Sequence, residues 1–273
     1  MAYEFAGAGA LDYLPCRYGK SKLLFRGPRR SLTGSFVAAM GGTETYGKFV
    51  ATPWPALLEA RLNLPVVNFG YLNAGIDVFL NEPQLASASR AARVTVVQLL
   101  GAHNMTNRYY AVHPRRNDRF LRASSLMRSV FGGVDFTEFN FTRHMLGALK
   151  QRAPEKYALL TQELQASWVQ RMTALLSRLE GAKVLLWMGE YHPPCLVDPI
   201  GPEPLLVSAE MVDALRPLVH EVVRVEPSAR ARGEGTSGMV FSELDAPAAA
   251  RLPGPRVHEE TAEALAPVVR RYL

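Results

Sequence analysis

Apolar residues gather along this chain into short runs that stop at glycine, with stretches of helical spacing between them. The first run is Phe36-Val37-Ala38-Ala39-Met40, ended by Gly41-Gly42. Unbroken apolar runs of this length suit strands buried on both faces. Pro65 to Gly70 repeats the pattern, and Val94 to Leu100 repeats it again before Gly101. Lys183 to Met188 stops at Gly189, and Glu221 to Val225 makes a fifth strand. Between the runs, Trp54–Leu62, about Ile76–Arg90, Lys156–Glu180 and Ser208–Pro217 read as helices. In the long one, Leu160, Leu164, Trp168, Met172, Leu175, Leu176 and Leu179 share a face. Residues 226–257 are rich in Pro, Gly, Ala and Ser and read as loop, and a last helix covers Glu259 to Tyr272. Strand and helix in alternation predict a parallel sheet with right-handed crossovers. The expected fold is α/β: a flavodoxin-like three-layer sandwich whose five parallel strands are ordered 2-1-3-4-5, with a helical insertion.

The chain reads as one α/β domain over residues 1–273. Residues 1–34 form a basic N-terminal arm, and residues 105–155 form a helical insertion over the sheet's carboxyl edge. The arm's Gly19-Lys20-Ser21 is not a Walker A loop, because the leading glycine and its spacing are missing. It reads as a solvated arm wrapping the domain.

Composition narrows the function classes. Hydrophobic residues are 48% and charged residues 21%, which is ordinary globular usage. No apolar run approaches the roughly 20 residues of a membrane span, so no membrane is expected. Met1 to Ala10 carries Glu4 and no basic region, so no signal peptide is read and a cytoplasmic location is expected. Cys16 and Cys195 are too few and too far apart for a disulfide framework or a zinc site. The formal charge of +6 and a pI near 9.4 favour anionic partners in general, but no base-reading motif is present and nucleic acid is not expected. No cofactor is implied. A homo-oligomer is left open.

Ligands of open α/β sheets bind at the carboxyl ends of the strands. There the chain presents Gly41-Gly42-Thr43-Glu44-Thr45-Tyr46-Gly47, Asn68-Phe69-Gly70 and Gly101-Ala102-His103-Asn104, with Pro255-Arg256-Val257-His258 before the final helix. This order and spacing resemble the SGNH (GDSL-like) hydrolases, whose blocks read G-D-S-x-T-x-G, a glycine after the second strand, G-x-N-D, and D-x-x-H. The resemblance covers roughly residues 35–110 and 182–273. It extends to an uncharacterised bacterial family that keeps this frame together with His113-Pro114-Arg115-Arg116-Asn117-Asp118-Arg119.

The resemblance implies Thr43 as nucleophile and His258 as base. Gly42, Gly70 and Asn104 would supply the oxyanion donors. Glu44, Asn73 and His103 fall beside them as substrate contacts. Threonine stands for the serine, and Pro255 stands where the orienting aspartate belongs. A second constellation of Arg108, His113, Arg115, Arg116 and Arg119 suits carboxylate, phosphate or sulfate recognition, or local salt bridges to Asp118, Asp135 and Glu138. Three functions stay open. The first is an esterase or acyl (acetyl) transferase acting on a small polar or glycan-like ester. The second is a non-hydrolytic SGNH-like protein binding an anionic ligand or partner. The third is a group transferase using an activated sulfate or phosphate donor.

Overall fold

A computed structural model describes residues 11–189, 191 and 199–273 of the protein. Residues 1–10, Glu190, His192 and Cys195 lie outside the described residues, together with the expectations attached to them.

The elements run β1 (Val37–Gly41), α1 (Thr43–Tyr46), α2 (Trp54–Leu62), β2 (Val66–Gly70), α3 (Ile76–Leu80), α4 (Pro83–Ala91) and β3 (Val94–Gln98). The insertion follows with β4 (Tyr110–Val112), β5 (Phe120–Ala123), α5 (Ser125–Val130) and α6 (Thr142–Arg152). The chain then returns through α7 (Pro154–Arg178), β6 (Ala182–Met188), α8 (Ala209–Asp213), β7 (Glu221–Val225), α9 (Ala229–Glu234), α10 (Ala246–Ala249) and α11 (Pro255–Arg270). Five strands form one all-parallel sheet in the order β2-β1-β3-β6-β7. Counting only these five, that is the expected 2-1-3-4-5.

The sheet is covered on both faces, which is why β1 and β3 at its centre are buried along their whole length. Successive side chains of a strand point to opposite faces. Thus Ala38, Met40, Val67, Phe69, Val97 and Leu185 join the core under α3, α4, α6 and α7. Val37, Ala39, Val94, Val96, Val184 and Leu186 join a second core under α2 and α11. Trp168 is fully buried on α7, where its indole N–H donates to the Leu100 carbonyl at 2.7 Å. This bond fastens the long helix to the end of β3.

Several elements differ from the sequence reading for local reasons. The helix expected over 76–90 is two helices. Pro83 disfavours helical backbone at the residue before it, and the chain breaks at Asn81-Glu82. The stretch 226–257 carries two short helices besides loop, and Ser228 caps the first by accepting from the Ala231 N–H at 3.1 Å. The last helix begins at Pro255 rather than after His258, because proline is favoured at a first helical position. The insertion contains α5 and α6, and it adds a two-stranded antiparallel ribbon, β4–β5. The arm is not merely solvated. Tyr18, Leu23 and Phe25 are buried in the first core, and Arg26 donates to the carbonyls of Gly47 (2.5 Å) and Ala51 (2.7 Å). No described helix is long and apolar enough to cross a membrane.

Candidate functional site

The carboxyl ends of β1, β3 and β6 open onto a cleft of about 720 Å³. Gly42, Thr43 and Glu44 line it after β1, and Leu99 to Gly101, His103 and Asn104 line it after β3. The insertion closes one side with Asp118 and Thr142–His144, while Tyr191, Glu203 and Arg251 stand on the other.

Glycine is required at the ends of β1 and β2 by close packing. A Cβ on Gly41 would lie 2.1 Å from Thr45 Oγ1 and 2.4 Å from Gln98 Oε1. A Cβ on Gly70 would lie 2.3 Å from the Tyr46 nitrogen. Both absences let α1 sit directly on the strand ends. Gln98, the last residue of β3 and only 5% exposed, organises the turn. Its Oε1 accepts from Gly42 N (3.0 Å), Thr45 N (3.3 Å) and Thr45 Oγ1 (2.5 Å), and its Nε2 donates to Glu44 Oε2 at 2.8 Å. The other Glu44 oxygen accepts from the Tyr191 hydroxyl at 3.0 Å. Burial pushes that phenol well above the ordinary tyrosine range, and the charges of Glu44 and Glu203 add to the effect.

The expected catalytic groups are not joined. The Thr43 hydroxyl accepts from Asn73 N at 2.9 Å and donates to Asn73 Oδ1 at 3.4 Å, so it ties the 43 and 73 turns together. His258 is 1% exposed and does not border the cleft. Its Nδ1 accepts from Trp54 N at 3.1 Å, and the ring also hydrogen-bonds the Pro253 backbone. Burial, helped by the Arg26 charge, holds its pKa down at about 3. The histidine is a neutral clamp between the starts of α2 and α11. Two of the expected oxyanion donors are engaged inside the fold: Gly42 N on Gln98, and Gly70 N on Asn68 Oδ1 at 2.8 Å. Asn104 does line the cleft. Its Oδ1 accepts from Thr142 Oγ1 at 2.6 Å, and its Nδ2 makes no hydrogen bond to the described residues.

His103 also lines the cleft, 5% exposed, with Nδ1 unpartnered and packed toward Gly101. Burial and the nearby Arg143 charge lower its pKa to about 3, so it is a neutral imidazole at physiological pH. Arg143, which the sequence reading missed, is ion-paired with Glu203 across the cleft. Asp118 has one buried, unpartnered oxygen, and burial raises its pKa.

The second constellation stays outside. Arg108 pairs with Glu163 on α7 at 2.5 Å. His113, Arg115 and Arg116 belong to the loop that joins β4 to β5, and none of them lines the cleft. Arg119 stacks over the Phe141 ring at 5.2 Å, and Phe141 does line it.

Among these missed residues, Gln98 alone carried a local signal: it is a polar residue inside an apolar run. Arg143, Tyr191 and Glu203 come to the cleft from distant segments, which no local pattern announces. Among the described residues no three His, Cys, Asp or Glu side chains gather as a metal site. The arrangement offers carboxylates, amides and guanidinium groups facing a polar space. Among the described residues, no histidine hydrogen-bonds the Thr43 hydroxyl, whose partner is Asn73.

The match to the family described as "Domain of unknown function (DUF6473)" spans residues 1–273, and the chain belongs to that family. A comparison with curated proteins finds no match.

Proposed function

We propose that this is a non-hydrolytic SGNH-like protein that binds a small, hydroxyl-rich, glycan-type ligand in the cleft at the sheet's carboxyl edge. The observation that carries this reading is the Gln98 network. It consumes the Gly42 N–H that an oxyanion would need, while the Thr43 hydroxyl is engaged with Asn73 and His258 is clamped on Trp54. A hydroxyl without a base in reach is a poor nucleophile at neutral pH.

What remains is chemistry for recognition. Ligand sites use a few placed polar groups on an otherwise apolar lining to fix orientation. Here Glu44, Asn104 and the Arg143–Glu203 pair provide acceptors and donors beside Leu99, Leu100 and Met188. Carboxylates accept only, guanidinium donates only, and amides do both. Adjacent hydroxyls, each donor and acceptor, complement that mixture. The acyl-transfer reading would need a base other than His258. The sulfate or phosphate transfer reading would need a cationic cleft, whereas Arg143 is paired with Glu203, and Glu44 and Asp118 set further carboxylates beside Arg143 and Arg251.

Calorimetric titration of neutral sugars and sugar acids tests the proposal. Saturable binding to the wild-type protein, weakened about tenfold or more by Asn104→Ala or Glu44→Gln, is the expected result. Turnover of short acyl esters without measurable sugar binding would overturn it.

A further inference from the structure

The loop joining β4 to β5 displays arginines that make no ion pair among the described residues. Arg115, Arg116 and Arg119 are exposed. Three other arginines of the insertion have acidic partners: Arg108 pairs with Glu163, Arg143 with Glu203, and Arg152 with Glu138. Arg115, Arg116 and Arg119 make no ion pair among the described residues, and the acids the sequence offered them are placed elsewhere. Asp135 bonds the backbone and hydroxyl of Thr137 (2.9 and 2.7 Å) and Glu138 meets Arg152. Asp118 turns one oxygen into the protein and feels the Arg119 and Arg116 charges without forming an ion pair with either.

The same loop is firmly pinned. Asn117 is fully buried, and its Oδ1 accepts from Gly75 N at 2.9 Å and Val78 N at 3.3 Å. Its Nδ2 donates to the His113 carbonyl at 3.0 Å. His113 Nδ1 accepts the backbone N–H groups of Arg115 (3.2 Å) and Arg116 (3.1 Å). The backbone beneath the arginines is therefore ordered before any partner arrives, which reduces the entropy lost on binding.

The loop also adjoins the cleft. Asp118 and Phe141 line the cleft, and Arg119 lies over Phe141. A cationic rim thus continues from a polar cavity. Guanidinium forks bind carboxylate and sulfate in two-pronged fashion. A base-stacking partner would want several aromatic platforms, whereas Phe141 (43% exposed) is the one large exposed aromatic side chain among the described residues. A membrane partner would want a broad apolar face, and the ribbon's exposed large apolar side chain is Leu121 (55%). An acidic, sugar-based chain fits this charge with this polarity.

We infer that the loop 113–119 is an outer subsite that grips the acidic groups of a carboxylated or sulfated glycan chain whose end occupies the cleft. This deepens, and rests on, the cleft reading above. The test is a titration of an oligogalacturonate and of a neutral malto-oligosaccharide of equal length, at low and high salt. Wild type, the Arg115→Ala/Arg116→Ala double variant and Asn104→Ala are compared.

The acidic chain should bind about tenfold or more tighter than the neutral one, with an advantage that shrinks as salt rises. The double variant should lose that advantage and leave neutral binding unchanged. Asn104→Ala should weaken both chains. An acidic advantage that survives the double variant overturns the outer subsite. So does the absence of any advantage, or a duplex DNA or anionic vesicle that binds through these arginines more tightly than the acidic chain. Neutral and acidic binding both untouched by Asn104→Ala overturns the cleft reading instead, so the two failures are distinguishable. Unaltered thermal unfolding of the double variant confirms that folding is not the cause.

Discussion

The turn after β1 and the loop between β4 and β5 are both pinned by a buried amide side chain, yet they leave their polar groups in opposite states. In the first, Gln98 and Asn73 engage the Gly42 and Thr45 N–H groups, the Thr45 hydroxyl and the Thr43 hydroxyl. In the second, Asn117 holds the backbone, and the Arg115, Arg116 and Arg119 heads form no ion pair among the described residues. A residue frame at a strand end shows where a site lies. Whether the groups there can act depends on what already bonds them. In this fold the motif-bearing turn is internally satisfied, and the unassigned capacity lies on the insertion and on the cleft wall formed by Asn104 and His103.

The largest expected effect breaks the scaffold under the first turn. Trp168→Ala should destabilise by about 3–5 kcal/mol, because it empties a fully buried site and removes the bond to Leu100. Equilibrium denaturation reads this, and a change below about 1 kcal/mol would contradict the packing of α7 on β3.

Next comes Gln98→Ala, which leaves two backbone donors and a hydroxyl without their acceptor. A loss of about 2–4 kcal/mol is expected, since unsatisfied buried groups carry their full desolvation penalty. A near-neutral substitution would show that the turn is not held this way, and the contrast between the two loops would fall.

The buried histidines give a pH signature. His258 and His103 have folded pKa values of about 3, against an ordinary 6.5. Between those values the unfolded chain binds the proton and the folded chain does not, so stability rises with pH across that window. It is fully present above about pH 6.5 and falls on acidification, by about 1.4 kcal/mol per pH unit for each histidine. From pH 6.5 to about pH 5, His258 alone accounts for a loss of about 2 kcal/mol. Denaturation midpoints that do not move over that interval would contradict its burial as a neutral clamp.

The smallest effect sharpens the other side of the comparison. Arg115→Ala with Arg116→Ala should change stability by no more than about 0.5 kcal/mol, because neither head holds the fold together. A clear destabilisation would mean that these arginines do structural work and are not available to a ligand.

Much of this was legible in the residues. Apolar runs closed by glycine identify four of the five strands of the sheet, because the inner strands bury both faces and α1 presses on Gly41 and Gly70. The cleft position followed from the strand ends, and Gly42, Thr43, Glu44, Asn73, His103 and Asn104 all border it. The partnerships did not follow. His258 holds the place of the histidine in the D-x-x-H block, but Pro255 starts α11 early and carries the ring into the helix's buried first turn. Arg143 and Glu203 are 60 residues apart in sequence and meet only through the insertion's return over the sheet. The arginine stretch reads the same whether its heads are paired or free, and that state depends on where Asp118, Asp135 and Glu138 finally point.

The most direct test of the central claim is turnover of a short acyl ester, measured for the wild type and for Thr43→Ala under the same conditions. The turn after β1 is satisfied internally, so both proteins should hydrolyse the ester no faster than buffer. Turnover by the wild type that disappears in Thr43→Ala, at unchanged thermal stability, would contradict the account and restore Thr43 as a nucleophile.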